Sequence, residues 1–353
     1  MKVLIICNNN LFLFPFLKKY LDVFNDNCDY KVLYWNRNNN KEITIDIKKT
    51  ICFNYTMNTY KSRLFKLKGY YKYKKFIIDH IKRNKYDFVI VFNTQTALMI
   101  NKVLKKNKYI FDYRDESFEK YNIYRKKVEK IINNSRYTIM SSFGFKKLFK
   151  NLNDSKVLIM HNNKFNTLKK VQNNIDGKIT ISFWGMVRYV EYYKRILDLF
   201  GNNSEYIVNI YGEGYTKALN IYSKSKKYKN INFFGKYDDT EIEYFARNTD
   251  ILLNCYPIDS IQKYSLTCKL YEGIVFGIPM IIEKDSYMDE FLINNNYPHF
   301  QLDFTKSNNE ILINLKKWFK DNKNILKNSE NILRIINTDN EETLDKIKKC
   351  FEK

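Results

Sequence analysis

ITISFWGMVRYVEYYKRI, residues 179–196, joins a run of β-branched and aromatic residues to a helical pattern through a single glycine. Ile179–Trp184 has the length and composition of a strand, and Gly185 follows it with no intervening loop. A strand that passes into a helix across a glycine is the joint of a βαβ unit, in which helices cover a parallel sheet. The same alternation recurs on both sides. Upstream, KVLIIC, YKVLYW, FVIVF, YIFDY, YTIMS and KVLIM are short apolar runs separated by helix-like stretches. Downstream, YIVNIY, INFF, DILLNCY and PMIIE continue it, with DDTEIEYFARN reading as a helix capped by Asp238 or Asp239 and carrying Glu241 in its first turn.

Between Asn162 and Lys178 the sequence turns polar and loses periodicity, which places a domain boundary there. The expected organisation is an N-terminal domain over 1–168, a second over 169–335 and a C-terminal helix over 336–353 that packs back toward the first. Both domains are expected to be Rossmann-like and doubly wound, facing each other so that the loops at the C-terminal ends of their strands surround a cleft.

The chain of 353 residues suits two domains, and 44% hydrophobic residues suffice for two cores. Its formal net charge of +23 favours anionic partners, although Lys is abundant everywhere. The six cysteines are scattered without CxxC spacing, which argues against a zinc site or a disulfide framework and for a reducing compartment. No apolar stretch approaches the roughly 18 residues of a spanning helix. The expectation is a cytoplasmic protein, touching the inner face of the membrane at most.

Neither half carries GxGxxG or GxxxxGK[ST], which speaks against a dinucleotide oxidoreductase or a P-loop nucleotidase. Strand ends are therefore where chemistry is sought. Gly185 lets a backbone approach a phosphate at a helix N-terminus, with Arg188 and Lys194 as charge against a diphosphate. Alternatively Arg188 is a surface residue and Lys194 one more lysine of many. NIYGEG (209–214) ends a strand at Tyr211 and Gly212, as a phosphate-approaching turn or a plain βα turn. In TCKLYEGIVFGIPM, Lys269 and Glu272 share the first turn of a helix that Gly277 and Pro279 terminate. The pair is either a solvated ion pair worth about 0.2–0.5 kcal/mol or a seat for phosphate and ribose. In the N-terminal half FDYRDES places Arg114 and Asp115 after a strand, as cleft-facing groups or as a cap and a structural pair, and His161 ends the last strand. Residues 60–85 interleave Lys and Arg with Tyr, Phe and Leu, a pattern for an anionic leaflet or a solvated helix.

Taken in order, KVLIICNNN, FDYRDES, FWGMVRYVEYYK, NIYGEG, NINFFGKYDDTEIEYFARNTDILLNCY and KLYEGIVFGIPMI resemble the retaining glycosyltransferases of family 4, nearest to those of bacterial capsule, exopolysaccharide and O-antigen synthesis. The resemblance runs from the first strand to about Ile282. It implies a GT-B fold and a hexosyltransferase-like, metal-independent enzyme without cofactor. The donor, a nucleotide sugar linked to UDP or GDP, would bind the C-terminal half. A saccharide or lipid-linked acceptor would bind the N-terminal half. By the same resemblance Gly185 approaches the diphosphate, Arg188 and Lys194 neutralise it as catalytic charges, Glu272 binds the ribose, and Tyr211, Gly212, Tyr264, Lys269 and Leu270 complete the donor site. Asn9, Arg114, Asp115 and His161 fall on the acceptor side, with Asp115 contacting the acceptor or the transferred sugar. Tyr264 stands where the family has the first glutamate of its E-x7-E motif, and the opening NNN lacks the glycine-rich first loop of many relatives. Alternative readings are an epimerase or hydrolase on the same fold, a non-catalytic nucleotide-sugar binder, or a basic nucleic-acid-binding protein. The last lacks any recognisable motif, so nucleic acid is not an expected partner.

Overall fold

The computed structural model describes residues 1–24, 28–39, 47–57, 62–169 and 177–352. The chain forms two compact units, one of residues 1–161 with 338–353 and the other of residues 162–337.

In the first unit, strands β1 (Lys2–Cys7), β2 (Asp29–Asn36), β3 (Thr50–Asn54), β4 (Phe88–Phe92), β5 (Lys108–Tyr113), β6 (Tyr137–Met140) and β7 (Val157–Ile159) form one sheet. Its order is β3-β2-β1-β4-β5-β6-β7, and every pairing is parallel. Helix α1 (Leu17–Leu21) lies between β1 and β2, α2 (Arg63–Arg83) between β3 and β4, α3 (Thr94–Met99) and α4 (Asn101–Leu104) between β4 and β5, and α5 (Asn122–Asn134) between β5 and β6. All of β4, and β1 beyond Lys2, is buried, as expected of strands covered on both faces. β3 was not legible in the sequence. It is an edge strand whose residues are half-buried or exposed, and its apolar run is only the three residues Ile51, Cys52 and Phe53.

The second unit repeats the plan with β8 (Ile179–Trp184), β9 (Tyr206–Tyr211), β10 (Ile231–Gly235), β11 (Ile251–Leu253), β12 (Met280–Glu283) and β13 (Phe300–Leu302), all parallel in the order β10-β9-β8-β11-β12-β13. Its helices are α6 (Val190–Phe200), α7 (Thr216–Ser225), α8 (Ile242–Arg247), α9 (Cys268–Phe276), α10 (Tyr287–Asn294) and α11 (Asn308–Asp321). Helix α12 (Leu326–Lys348) begins in this unit and ends in the first. Alternation along β8 sends Ile181 and Phe183 into the core with Tyr193, Ile196 and Leu197 of α6, and Trp184 into the opposite core with Leu270 and Ile274 of α9. Asp238 caps the turn before α8 in a capping box with Glu241. β13, an edge strand of three residues with Gln301 exposed between two buried ones, is likewise too short to read from the sequence.

In each sheet the strand order reverses beside the first strand, at β1/β4 and at β8/β11. Those switch points are where an open α/β sheet leaves a crevice at its carboxyl ends. Asn8–Asn10 follow one and Gly185 follows the other.

Candidate functional site

The loop after β8 is built to expose backbone. Gly185 has φ +124° and donates its N–H to the Tyr211 carbonyl at 3.0 Å. The next loop presses directly against it, because Gly212, at φ +130°, donates to the Gly235 carbonyl at 2.5 Å with no side chain in between. A Cβ on Gly212 would lie 1.9 Å from the Gly185 oxygen. Val187 then bridges Gly214, with Val187 N–H to the Glu213 carbonyl at 2.9 Å. The result is a bare, stitched pair of βα loops at the switch point, the kind of surface a phosphate can approach.

Helix α9 points its first turn at the same place. Thr267 caps it, accepting from Leu270 N–H at 3.4 Å and donating to Asn254 Oδ1 at 2.9 Å. Lys269 is 9% exposed, and its ammonium lies 4.6 Å from the Phe183 ring centroid and 5.2 Å from that of Tyr256. It also lies 3.1 Å from where a Cβ on Gly185 would be. No described carboxylate stands within ion-pair distance of it. Glu272, 5% exposed, accepts the Trp184 indole N–H at 2.6 Å. Burial raises its carboxyl above the usual range, while the Trp184 bond, Lys164 and Lys269 pull it back. The solvated ion pair is thereby excluded, since both groups are buried and neither is the other's salt-bridge partner.

The remaining expected residues of this unit separate. Arg188 is exposed, between Gly185 and α6, with no ion pair to a described residue. Lys194 is engaged on α6 itself, 2.8 Å from Glu191, and lies 5.2 Å from the Tyr222 ring centroid. Tyr211 is a core ring, stacked between Phe234 and Phe245 at 4.5 and 3.9 Å, and its carbonyl accepts the Gly185 N–H. Leu270 is fully buried and serves packing. Tyr264 is half-buried in the segment before α9, beneath the Lys263 ammonium.

In the first unit Arg114 is a buried structural cation. It grips Asp112 with two hydrogen bonds of 2.6 and 2.9 Å, donates to the Met160 carbonyl at 2.9 Å and stacks on Phe16. Tyr20 donates to the same carboxylate. His161 is fully buried, its ring 3.0 Å from Asp339 of α12 and its carbonyl accepting from Lys19 at 2.9 Å. Burial lowers its pKa. Asn9 and Asp115 are the more open pair, in the loops after β1 and β5.

Two site residues were not singled out from the sequence. Trp184 reads there only as the apolar end of a strand. Lys164, which pairs with Asp239 at 2.6 Å and acts on Glu272, reads as one lysine in a polar stretch.

No protein-family model matches the chain, and no curated protein does. Solved structures do. The Anabaena protein HepE in complex with UDP-glucose superposes with a TM-score of 0.69 at 14% identity, covering 98% of this chain and 99% of that one. Sucrose-phosphate synthase from Thermosynechococcus elongatus gives 0.72 at 9% identity, with 99% of each chain covered. WaaG, a glycosyltransferase involved in lipopolysaccharide biosynthesis, gives 0.65 at 12% identity, also with 99% of each covered. Likeness of this extent at these identities establishes the fold, which is GT-B.

Proposed function

We propose that the chain is a glycosyltransferase that moves a sugar from a nucleotide-sugar donor to a saccharide acceptor with retention of configuration. One observation carries the reading. Lys269 is a buried ammonium without a carboxylate partner among the described residues, against the bare backbone of Gly185 and one helical turn from the buried carboxylate Glu272. A desolvated cation calls for an anion, and a buried carboxylate next to it suits hydroxyls. A nucleoside diphosphate offers both. The neighbour HepE is seen with UDP, with UDP-glucose, and with UDP and glucose, which favours a uridine donor.

On this reading Lys269, exposed Arg188 and the Gly185 loop stabilise the departing diphosphate by preorganised charge, and Glu272 holds the ribose. No metal or cofactor is invoked. Lys194 would have to leave Glu191 to join them. Asn9 and Asp115 are the acceptor-side contacts, while Arg114 and His161 act by shaping the loops around them. Pathway follows the resemblance to enzymes of surface polysaccharide synthesis, with a lipid-linked acceptor at the inner leaflet. Helix α2 supports that location. Leu64, Leu67 and Tyr71 are 78%, 64% and 69% exposed at helical spacing, flanked by exposed Lys68, Lys72 and Lys75. Tyr60 and Lys61, the start of that basic-aromatic stretch, lie outside the described residues.

The test is a thermal-shift screen of UDP, GDP, CMP and dTDP with their common sugars, on the wild type and Glu272→Ala. A shift confined to one base and lost in the variant supports the donor site and directs the transfer assays. Absence of any shift, together with salt-sensitive RNA binding, would replace the reading with a nucleic-acid one. Sugar release to water alone would identify a hydrolase.

A further inference from the structure

We infer that Trp184 is a positioning residue: its indole N–H holds Glu272 oriented and ionised, leaving one carboxylate oxygen of Glu272 for a ligand hydroxyl. The inference rests on the donor-site reading above and concerns a residue that reading did not use.

The geometry is specific. Trp184 is the last residue of β8, and strand alternation turns it toward α9 rather than α6. Its ring is 1% exposed and packs near Phe245, at 6.4 Å between centroids, in the core that also holds Leu270 and Ile274. The indole has one donor, and that donor is 2.6 Å from Glu272 Oε2. Among the described residues no other hydrogen bond reaches this carboxylate. The charged and titratable groups facing it are committed elsewhere or further off. Lys164 is held by Asp239, Lys269 lies over Phe183 and Tyr256, and Tyr237 and Cys268 complete the surround. A carboxylate removed from water with one hydrogen-bond donor relies on that donor, together with the Lys164 and Lys269 ammoniums, to stay charged.

The expected ligand chemistry follows. One oxygen is capped by the indole, so the other is the better acceptor for a sugar hydroxyl, and it accepts most strongly while ionised. Trp184 thereby sets the pH at which the site takes its diol.

The experiment titrates UDP into wild type, Trp184→Phe, Glu272→Gln and the double variant between pH 5 and 8. The second ionisation of the terminal phosphate, near pH 6, is common to all four and cancels in the comparison. Trp184→Phe keeps the aromatic packing and removes the donor. It should move the acid limb of binding upward by about one pH unit and weaken binding at pH 7 by up to about tenfold. Glu272→Gln should remove that limb, and Trp184→Phe should add almost nothing in its background. An unchanged acid limb in Trp184→Phe, or equal losses in both backgrounds, overturns the inference. If Glu272→Gln leaves UDP affinity and its pH profile untouched, the donor reading fails instead.

A measurement on the ligand-free wild type guards against a Trp184→Phe variant that does not fold. With 15N-labelled tryptophan the three indoles give three N–H signals. The Trp184 signal should titrate with acid, and should stop doing so in Glu272→Gln. A Trp184 signal indifferent to both overturns the inference without reference to any nucleotide.

Discussion

The ammonium of Lys269 lies 3.1 Å from the point where a side chain on Gly185 would begin, which ties the first turn of α9 to the loop after β8. Gly185→Ala must adopt φ near +124° and displace that ammonium. The strain is about 1–3 kcal/mol, and the displaced atom is the flexible end of a side chain. Gly212→Ala meets a fixed carbonyl oxygen at 1.9 Å instead. Urea denaturation should therefore show a modest loss for Gly185→Ala and a larger one for Gly212→Ala. UDP-dependent stabilisation should be gone from Gly185→Ala even where it folds. A fully responsive Gly185→Ala protein would remove the loop from the site.

Lys269→Met separates binding from folding. The methionine fills the same space over Phe183 and Tyr256 without a charge to desolvate. The ligand-free protein should be as stable as wild type or up to about 2 kcal/mol more so, because a buried cation lacking a carboxylate partner costs stability. UDP affinity should fall at least about tenfold. A variant that loses stability while keeping UDP affinity would make Lys269 a structural cation.

Arg114 and Asp112 make the opposite case, a buried pair with every partner in place. Arg114→Met strands the fully buried Asp112 carboxylate and should cost about 3–5 kcal/mol. Adding Asp112→Asn should recover part of that loss, because the stranded charge is then gone. Equal stability of the single and double variants in chemical denaturation would show that the charge was never the issue.

β4 and β8 were legible because strands buried on both faces must be apolar throughout, whereas the half-exposed edges β3 and β13 leave no such run. The junction at Gly185 was legible since a glycine directly after a strand has few other uses. The status of Lys269 was not. A spacing of i, i+3 does not reveal whether two charges meet; the structure shows that they do not, with the Lys269 ammonium set against the Phe183 and Tyr256 rings instead. Arg114 stays open in the sequence for the same reason. A charged residue after a strand is cleft-facing or structurally paired, and the short reach back to Asp112 gives the pair. Trp184 gave no signal, because an indole N–H inside an apolar run is silent without its acceptor.

Glu283 predicts a pH signature in stability. Burial lifts its carboxyl to about 7, with Tyr192 donating to it. A folded-state pKa above the unfolded value of about 4.3 means the neutral acid is favoured by folding. That contribution is whole below pH 4.3, declines as pH rises toward 7 and is absent above it. Glu283→Gln keeps an acceptor for Tyr192 and cannot ionise. The variant should melt higher than wild type at pH 8 and no higher at pH 5, and its melting temperature should fall less between those values. Parallel curves for the two proteins would place the ionisation elsewhere.

Helix α2 carries the membrane proposal, and the prediction separates apolar insertion from charge alone. The basic residues would bring the protein to an anionic surface in any case, given a net charge of +23. What a solvated helix does not need is Leu64 and Leu67 held outward at 78% and 64% exposure, three residues apart. If they insert, Leu64→Ser with Leu67→Ser should weaken binding to phosphatidylglycerol-containing vesicles by tenfold or more, since each buried leucine is worth about 1.5 kcal/mol or more. The lysines are unchanged in that variant, so its residual binding should be almost wholly abolished by raised salt, whereas wild type should retain a salt-resistant part. UDP-induced stabilisation, proposed for the other unit, should be the same in both proteins. Equal vesicle binding by the two, lost equally in salt, would reduce α2 to a solvated basic helix and leave the acceptor without a membrane argument.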